Sequence, residues 1–158
     1  MNFEPYFHQN SKKVISATIL HEVENAITGI TLSEENVSVT EVVSSIRTAL
    51  TKQGWSGEVF LSQESRITIS GMKGDIGLAL QFGNVSRIYA DLLKLQCLFL
   101  DGKIRGGVVI LPQRRLLSSL SRSGGTDNRC HIERIMRELP IFALVVTVPI
   151  TFYGVAQD

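Results

Sequence analysis

The sequence predicts a single α/β domain, a mixed sheet flanked by helices, and three observations carry that expectation. Apolar residues recur at helical spacing through the first fifty positions, and the period changes to that of strands from Glu58 onward. A long amphipathic helix then separates two strongly apolar strands, the signature of a βαβ unit. The 158 residues fit one core, so positions 1–158 are read as one domain. A domain of that length buries roughly 68–70% of its unfolded surface and needs no disulfide or metal to hold it together.

The elements follow in order. Asn10 or Ser11 caps a first helix whose buried stripe is Val14, Ile15, Ile19, Val23 and Ile27, and Gly29 ends it. Ser38-Val39-Thr40-Glu41 is a capping-box pattern that opens a second helix; Val42, Val43, Ile46 and Leu50 form its apolar face, and Gly54 stands where a C-terminal cap is expected. Glu58–Leu61, Arg66–Ile69 and Asp75–Phe82 read as strands, the last nearly all apolar and therefore central. A helix spans Val85–Phe99, with Val85, Ile88, Tyr89, Leu92, Leu95 and Phe99 on one face. Val108–Leu111 is a buried strand stopped by Pro112. Short helices around Arg115–Leu120 and Ile132–Leu139 flank a Ser-Gly-Gly-Thr loop, and Ala143–Val148 and Ile150–Tyr153 close the chain as strands.

Composition excludes several classes. The formal charge is +1, without the basic excess of most nucleic-acid binders. The mean hides a local bias: from Lys103 to Arg137 eight basic residues face two acidic ones, Asp127 and Glu133. Cys97 and Cys130 are too few for a disulfide framework and wrongly spaced for zinc, which fits reduced thiols in a cytoplasmic protein. The N-terminus lacks the basic and apolar regions of a signal peptide. The longest apolar run, Ile141–Phe152, is too short to span a membrane, so no membrane partner is expected. His8, His21 and His131 are far apart and read as surface or helix-face residues. No phosphate-binding glycine loop, nucleophile elbow or zinc-protease motif occurs.

One stretch stands out. Gln81-Phe82-Gly83-Asn84 leaves the central strand and enters the helix that carries Asp91-Leu92-Leu93-Lys94-Leu95-Gln96; Val109-Ile110-Leu111-Pro112 follows. Singly, each is ordinary βα sequence. In this order, from Ile67 to Gly154, they resemble the BglII/BstYI group of restriction endonucleases. The resemblance implies a restriction-endonuclease-like core of the PD-(D/E)xK type and homodimers that cut short palindromes in duplex DNA. It also implies catalysis by an Asp and a Glu on adjacent strands with a Gln in the usual lysine place. Such carboxylates hold a hard divalent cation that activates water.

Carried over residue by residue, the resemblance puts the glutamine at Gln81, the Glu at Ala79 and the Asp at Ser70. Two of the three catalytic positions, Ser70 and Ala79, thus lack the carboxylate, and neither can replace it as a Mg²⁺ ligand. Asp75 shares Ala79's face of an alternating strand and is the candidate for a migrated ligand, with Glu58 and Glu64 as further acids. The resemblance also implies DNA contacts after the Ile-Leu-Pro strand. There Arg114, Arg115 and Arg122 stand among serines, and arginine forks suit both phosphates and base edges. Asn84 is carried with them as a DNA contact, although its ordinary role there is a helix cap. The expectation is a catalytically degenerate relative of a type II endonuclease, without a cofactor, that binds duplex DNA or pairs as a homodimer. Its alternatives are an active Mg²⁺-dependent nuclease with a migrated site, and a protein-interaction domain that kept only the scaffold.

Overall fold

A computed structural model of the chain describes residues 1–32, 37–120 and 128–157. The Ser-Gly-Gly-Thr loop and Arg122 lie outside the described residues. Among those described, the largest sheet has the strand order β1-β7-β6-β5-β4. Its members are β1 (Asn2–His8), β4 (Gly71–Lys73), β5 (Ile76–Leu80), β6 (Gly106–Pro112) and β7 (Ile150–Ala156). β5, β6 and β7 run parallel, while β1 and β4 pair antiparallel at the two edges. A separate hairpin joins β2 (Val59–Ser62) to β3 (Ile67–Ile69).

Alternation along the central strands explains why they read as unbroken apolar runs: each face is buried against helices. On one face Ile76, Leu78, Val108, Ile110 and Tyr153 meet Val23 and Ile27 of α2 (Ala17–Thr28) and Val42, Ile46 and Leu50 of α3 (Val39–Lys52). On the other, Ala79, Val109, Leu111 and Phe152 meet Ile88, Leu92 and Leu95 of α4 (Val85–Leu100), with Ile132 and Ile135 of the later helix Ile132–Glu138. The second contact needs glycine. A Cβ on Gly77 would lie 2.7 Å from Leu95 Cδ2, and one on Gly107 3.1 Å from Leu95 Cδ1. The bare backbone lets α4 settle directly onto β5 and β6.

The expected first helix is divided into α1 (Ser11–Val14) and α2, because Ile15 is extended and Ser16 caps α2 by accepting from the Ile19 amide. The Ser38–Glu41 capping box forms as expected, and Gly54 follows the end of α3 with φ 86°. α5 spans Arg114–Leu120 and α6 Ile132–Glu138. Two strands were absent from the expectation, the edge strands β1 and β4. One expected strand does not exist. Residues 143–148 turn instead, Leu144 is 94% exposed, and the Thr147 and Val148 amides both donate to Gln96 Oε1 at 2.8 Å rather than to a neighbouring strand. No helix of the described residues is long and apolar enough to cross a membrane.

Candidate functional site

β5 and β6 run parallel, so the chain leaves both at the same edge of the sheet, the edge where open α/β folds place their ligands. At that edge of β5 a cleft of about 410 Å³ is lined by Ser70, Leu80, Gln81, Arg87, Asp91 and Lys94, with Arg47 and Glu58 at its outer wall. Ser70 joins β3 to β4. Its amide donates to Leu78 O at 3.0 Å, and its Oγ accepts from the Leu80 amide at 2.9 Å, so the hydroxyl ties down the end of β5.

Gln81 is the hub. Its backbone amide donates to Ile110 O, extending the ladder by one step. Its side chain is used at both ends: Oε1 accepts from the Gly83 amide at 2.9 Å, and Nε2 donates to Asp91 Oδ2 at 2.8 Å. The other carboxylate oxygen, Asp91 Oδ1, accepts from Lys94 Nζ at 2.9 Å. Arg87, Asp91 and Lys94 lie at helical spacings of four and three on α4 and form a polar stripe facing the cleft. Asp91 preceding Lys94 by three is the favourable order for a helix pair. On the outer wall Arg47 Nη1 and Glu58 Oε1 are 4.0 Å apart and half exposed, a weak contact.

The other expected site residues are distributed differently. Ala79 shares the β5 face of Gln81 but is 1% exposed among Ile88, Leu92 and Ile69, outside the cleft lining. Asp75 sits in the turn before β5, at the opposite end of the strand. Gln81 lies six positions on, roughly 20 Å along an extended chain. Its carboxylate pairs with Arg105 Nε at 3.1 Å in an exposed position. An even spacing on one strand put it on the right face, but strand length carries it away from the cleft. Asn84 caps α4 by accepting from the Ser86 amide at 2.9 Å, and a bridge joins it to Arg129. Arg114 and Arg115 open α5 just past β6, at the same sheet edge as the cleft. Arg115 is bound to Gln113 Oε1 at 2.8 Å and to Asn2 Oδ1 at 2.9 Å; the Arg114 amide donates to Glu133, and its side chain is exposed.

Sequence reasoning quoted Asp91 and Lys94 as part of the helix motif but gave neither them nor Arg87 a place in the site, and it passed over Arg47. The stripe Arg87-Asp91-Lys94 was legible as three polar positions on one side of an amphipathic helix. Arg47 was not, because it arrives from α3, far away in the chain.

The donor set fits poorly to a hard divalent cation, which takes several oxygen ligands, carboxylates foremost. Glu58 and Asp91 are the two carboxylates of the lining, and each already faces a cation of the protein, Asp91 pairing with Lys94 and Glu58 approaching Arg47. Among the described residues no group of three or more His, Cys, Asp or Glu side chains is placed to hold a metal ion.

A family model described as restriction endonuclease BglII/BglIII matches residues 3–155. In shape the chain is similar to the crystal structure of the restriction endonuclease BglII complexed with a DNA 16-mer, at TM-score 0.84 and 13% identity; the match covers 100% of this chain and 79% of that one. It is also similar to free BglII, at TM-score 0.72 and 13% identity, covering 100% of this chain and 81% of that one. The mixed sheet flanked by helices is thus the BglII endonuclease fold. None of the curated proteins matches the chain by sequence.

Proposed function

The chain belongs to the BglII/BglIII restriction endonuclease family, and from that membership we propose that it is a catalytically degenerate member that binds duplex DNA without metal-dependent cleavage. One observation carries the reading. The cleft at the end of β5 holds a serine hydroxyl at Ser70 and a single inner carboxylate, Asp91, paired with Lys94, while Ala79 is a methyl buried in the core outside the lining. Where metal-dependent relatives bring acidic oxygens together, this cleft brings together hydrogen-bond donors.

Each residue then has a stated task. Gln81 fixes the turn from β5 into α4 and orients Asp91. Asn84 starts α4 beside the cleft, and Arg114 offers its fork at the same edge of the sheet, with Arg115 held in place by Gln113 and Asn2. A bound duplex would run along this edge. Pairing with a second copy, the family habit that the sequence resemblance implies, belongs to the same proposal.

The test is a cleavage and gel-shift assay on mixed duplex DNA with and without Mg²⁺. Salt-sensitive binding with no Mg²⁺-dependent cleavage is expected. Cleavage by the unaltered protein would replace this reading by a migrated metal site, for which Asp91 and Glu58, rather than Asp75, are the acids in place. Absence of binding even at low salt would leave a scaffold for protein interaction.

A further inference from the structure

We infer that the β5–α4 cleft is a phosphate site in which Arg87, Lys94 and Arg47 provide, as permanent charges, the positive potential a divalent ion would bring. This inference rests on the DNA-binding reading of the same cleft and specifies the ligand chemistry there.

A census of hydrogen-bonding capacity leads to it. The inner acceptors are each engaged by a donor of the protein: Asp91 takes Gln81 Nε2 on one oxygen and Lys94 Nζ on the other, and Gln81 Oε1 takes the Gly83 amide. Ser70 Oγ already accepts from Leu80, leaving its hydroxyl proton to give. The donors are unspent. Lys94 uses one of its three protons on Asp91. Arg87, exposed in the first turn of α4, has five side-chain N–H groups, and none has a partner among the described residues. Arg47 is held by nothing firmer than its 4.0 Å approach to Glu58.

A cleft whose acceptors are each engaged and whose cationic donors are largely idle favours a ligand rich in acceptors and negative charge. Three cationic side chains against two acidic ones give the same answer from charge. A tetrahedral phosphate oxyanion meets both conditions, and an arginine fork binds it in bidentate fashion. The donor geometry suits a phosphodiester of duplex DNA and free inorganic phosphate alike, so the experiment uses both. Mg²⁺ has no place in this site and acts on it only as a competing counterion.

The experiment compares the wild type with Arg87→Gln and Arg87→Lys, changes at an exposed side chain without partners. Binding of a fluorescent duplex is followed across a salt series in EDTA and again in millimolar Mg²⁺. In parallel, inorganic phosphate is titrated while the Arg87 Nε–Hε resonance is observed by NMR. The wild type should bind the duplex in EDTA and more weakly in Mg²⁺. Arg87→Gln should flatten the slope of log affinity against log salt by roughly one unit, and Arg87→Lys should restore it. Phosphate should shift the Arg87 resonance. Duplex binding that requires Mg²⁺ would overturn the inference. So would an unchanged slope in Arg87→Gln together with a phosphate-insensitive Arg87 resonance, and if duplex binding persisted in that case, only the phosphate assignment would fall. A phosphate-sensitive Arg87 in a protein that ignores the duplex would keep the phosphate site and remove the DNA reading.

Discussion

Gln81, where the sequence resemblance puts the family glutamine, serves a local structural purpose. Its amide bridges a backbone turn and a helix carboxylate, so its loss would free the Asp91 oxygen and the Gly83 amide together. Removing Asp91 goes further, because it strands the Lys94 ammonium and the Gln81 amide in a half-buried place. Asp91→Ala should therefore lower the unfolding free energy by roughly 1–3 kcal/mol, the usual cost of leaving such donors unpaired. Urea denaturation checks this, and an unchanged midpoint would mean the network is dispensable. The two thiols make a second contrast. Burial pushes the Cys130 thiol up to about 12, with the Asp91 charge adding to the shift and Arg134 opposing it. Cys97 is exposed on α4. Since the thiolate is the reactive form, iodoacetamide at neutral pH should modify Cys97 in the native protein and Cys130 only after unfolding. Mass spectrometry of native digests showing early Cys130 adducts would contradict the packing around it.

At the level of elements, legibility in the sequence followed the range of the forces involved. The Ser38–Glu41 box and the amphipathic α4 are local devices, and both stand where their residues put them. Edge strands β1 and β4 exist because a partner strand offers its free ladder; β1 even carries Pro5, tolerable only at an edge. Nothing in Asn2–His8 announces β7 as its partner 150 positions away. The apolar stretch Ala143–Val148 fails as a strand for the opposite reason. A long-range side chain, the 6%-exposed Gln96, captures the Thr147 and Val148 amides and donates to Thr147 Oγ1 at 2.9 Å. The turn stands on that one amide group. Gln96→Ala should orphan two backbone donors at roughly 1–3 kcal/mol each, and hydrogen exchange at Thr147 and Val148 should accelerate more than at β6. Equal protection in mutant and wild type would show that water or backbone replaces the glutamine without loss. One position earlier on α4 is Leu95, against which Gly77→Ala would press a methyl; overpacking of this kind costs about 1–3 kcal/mol.

For the whole molecule, the fold class and the family were readable from ordered motifs, whereas the contents of the cleft were not. Spacing along β5 relates residues by face but carries no information on ends, which is why Asp75, expected on Ala79's face, stands at the end of β5 opposite the cleft. The same geometry decides what reinstating the two acids would do. The hydroxyl of Ser70 already meets the Leu80 amide, so Ser70→Asp keeps an acceptor in place. Ala79 is 1% exposed in a cluster with Ile69, Ile88 and Leu92, and Ala79→Glu would bury a carboxylate among apolar side chains. Desolvation disfavours its ionised form and raises its pKa. An acid whose folded pKa is raised leaves stability untouched below its unfolded pKa of about 4.3, and the penalty grows as pH climbs from there to the raised value. The double variant Ser70→Asp with Ala79→Glu should consequently melt lower than wild type at neutral pH in EDTA and approach it near pH 4. If the scaffold still matches its metal-dependent relatives, Mg²⁺ would bind the folded double variant and recover about 2.7 kcal/mol at a hundredfold excess over its dissociation constant. The wild type should show no saturable Mg²⁺ stabilisation under the same conditions. A melting temperature of the wild type that rises and saturates with Mg²⁺ would mean that Asp91 and Glu58 already hold a cation, and the degenerate reading would be lost.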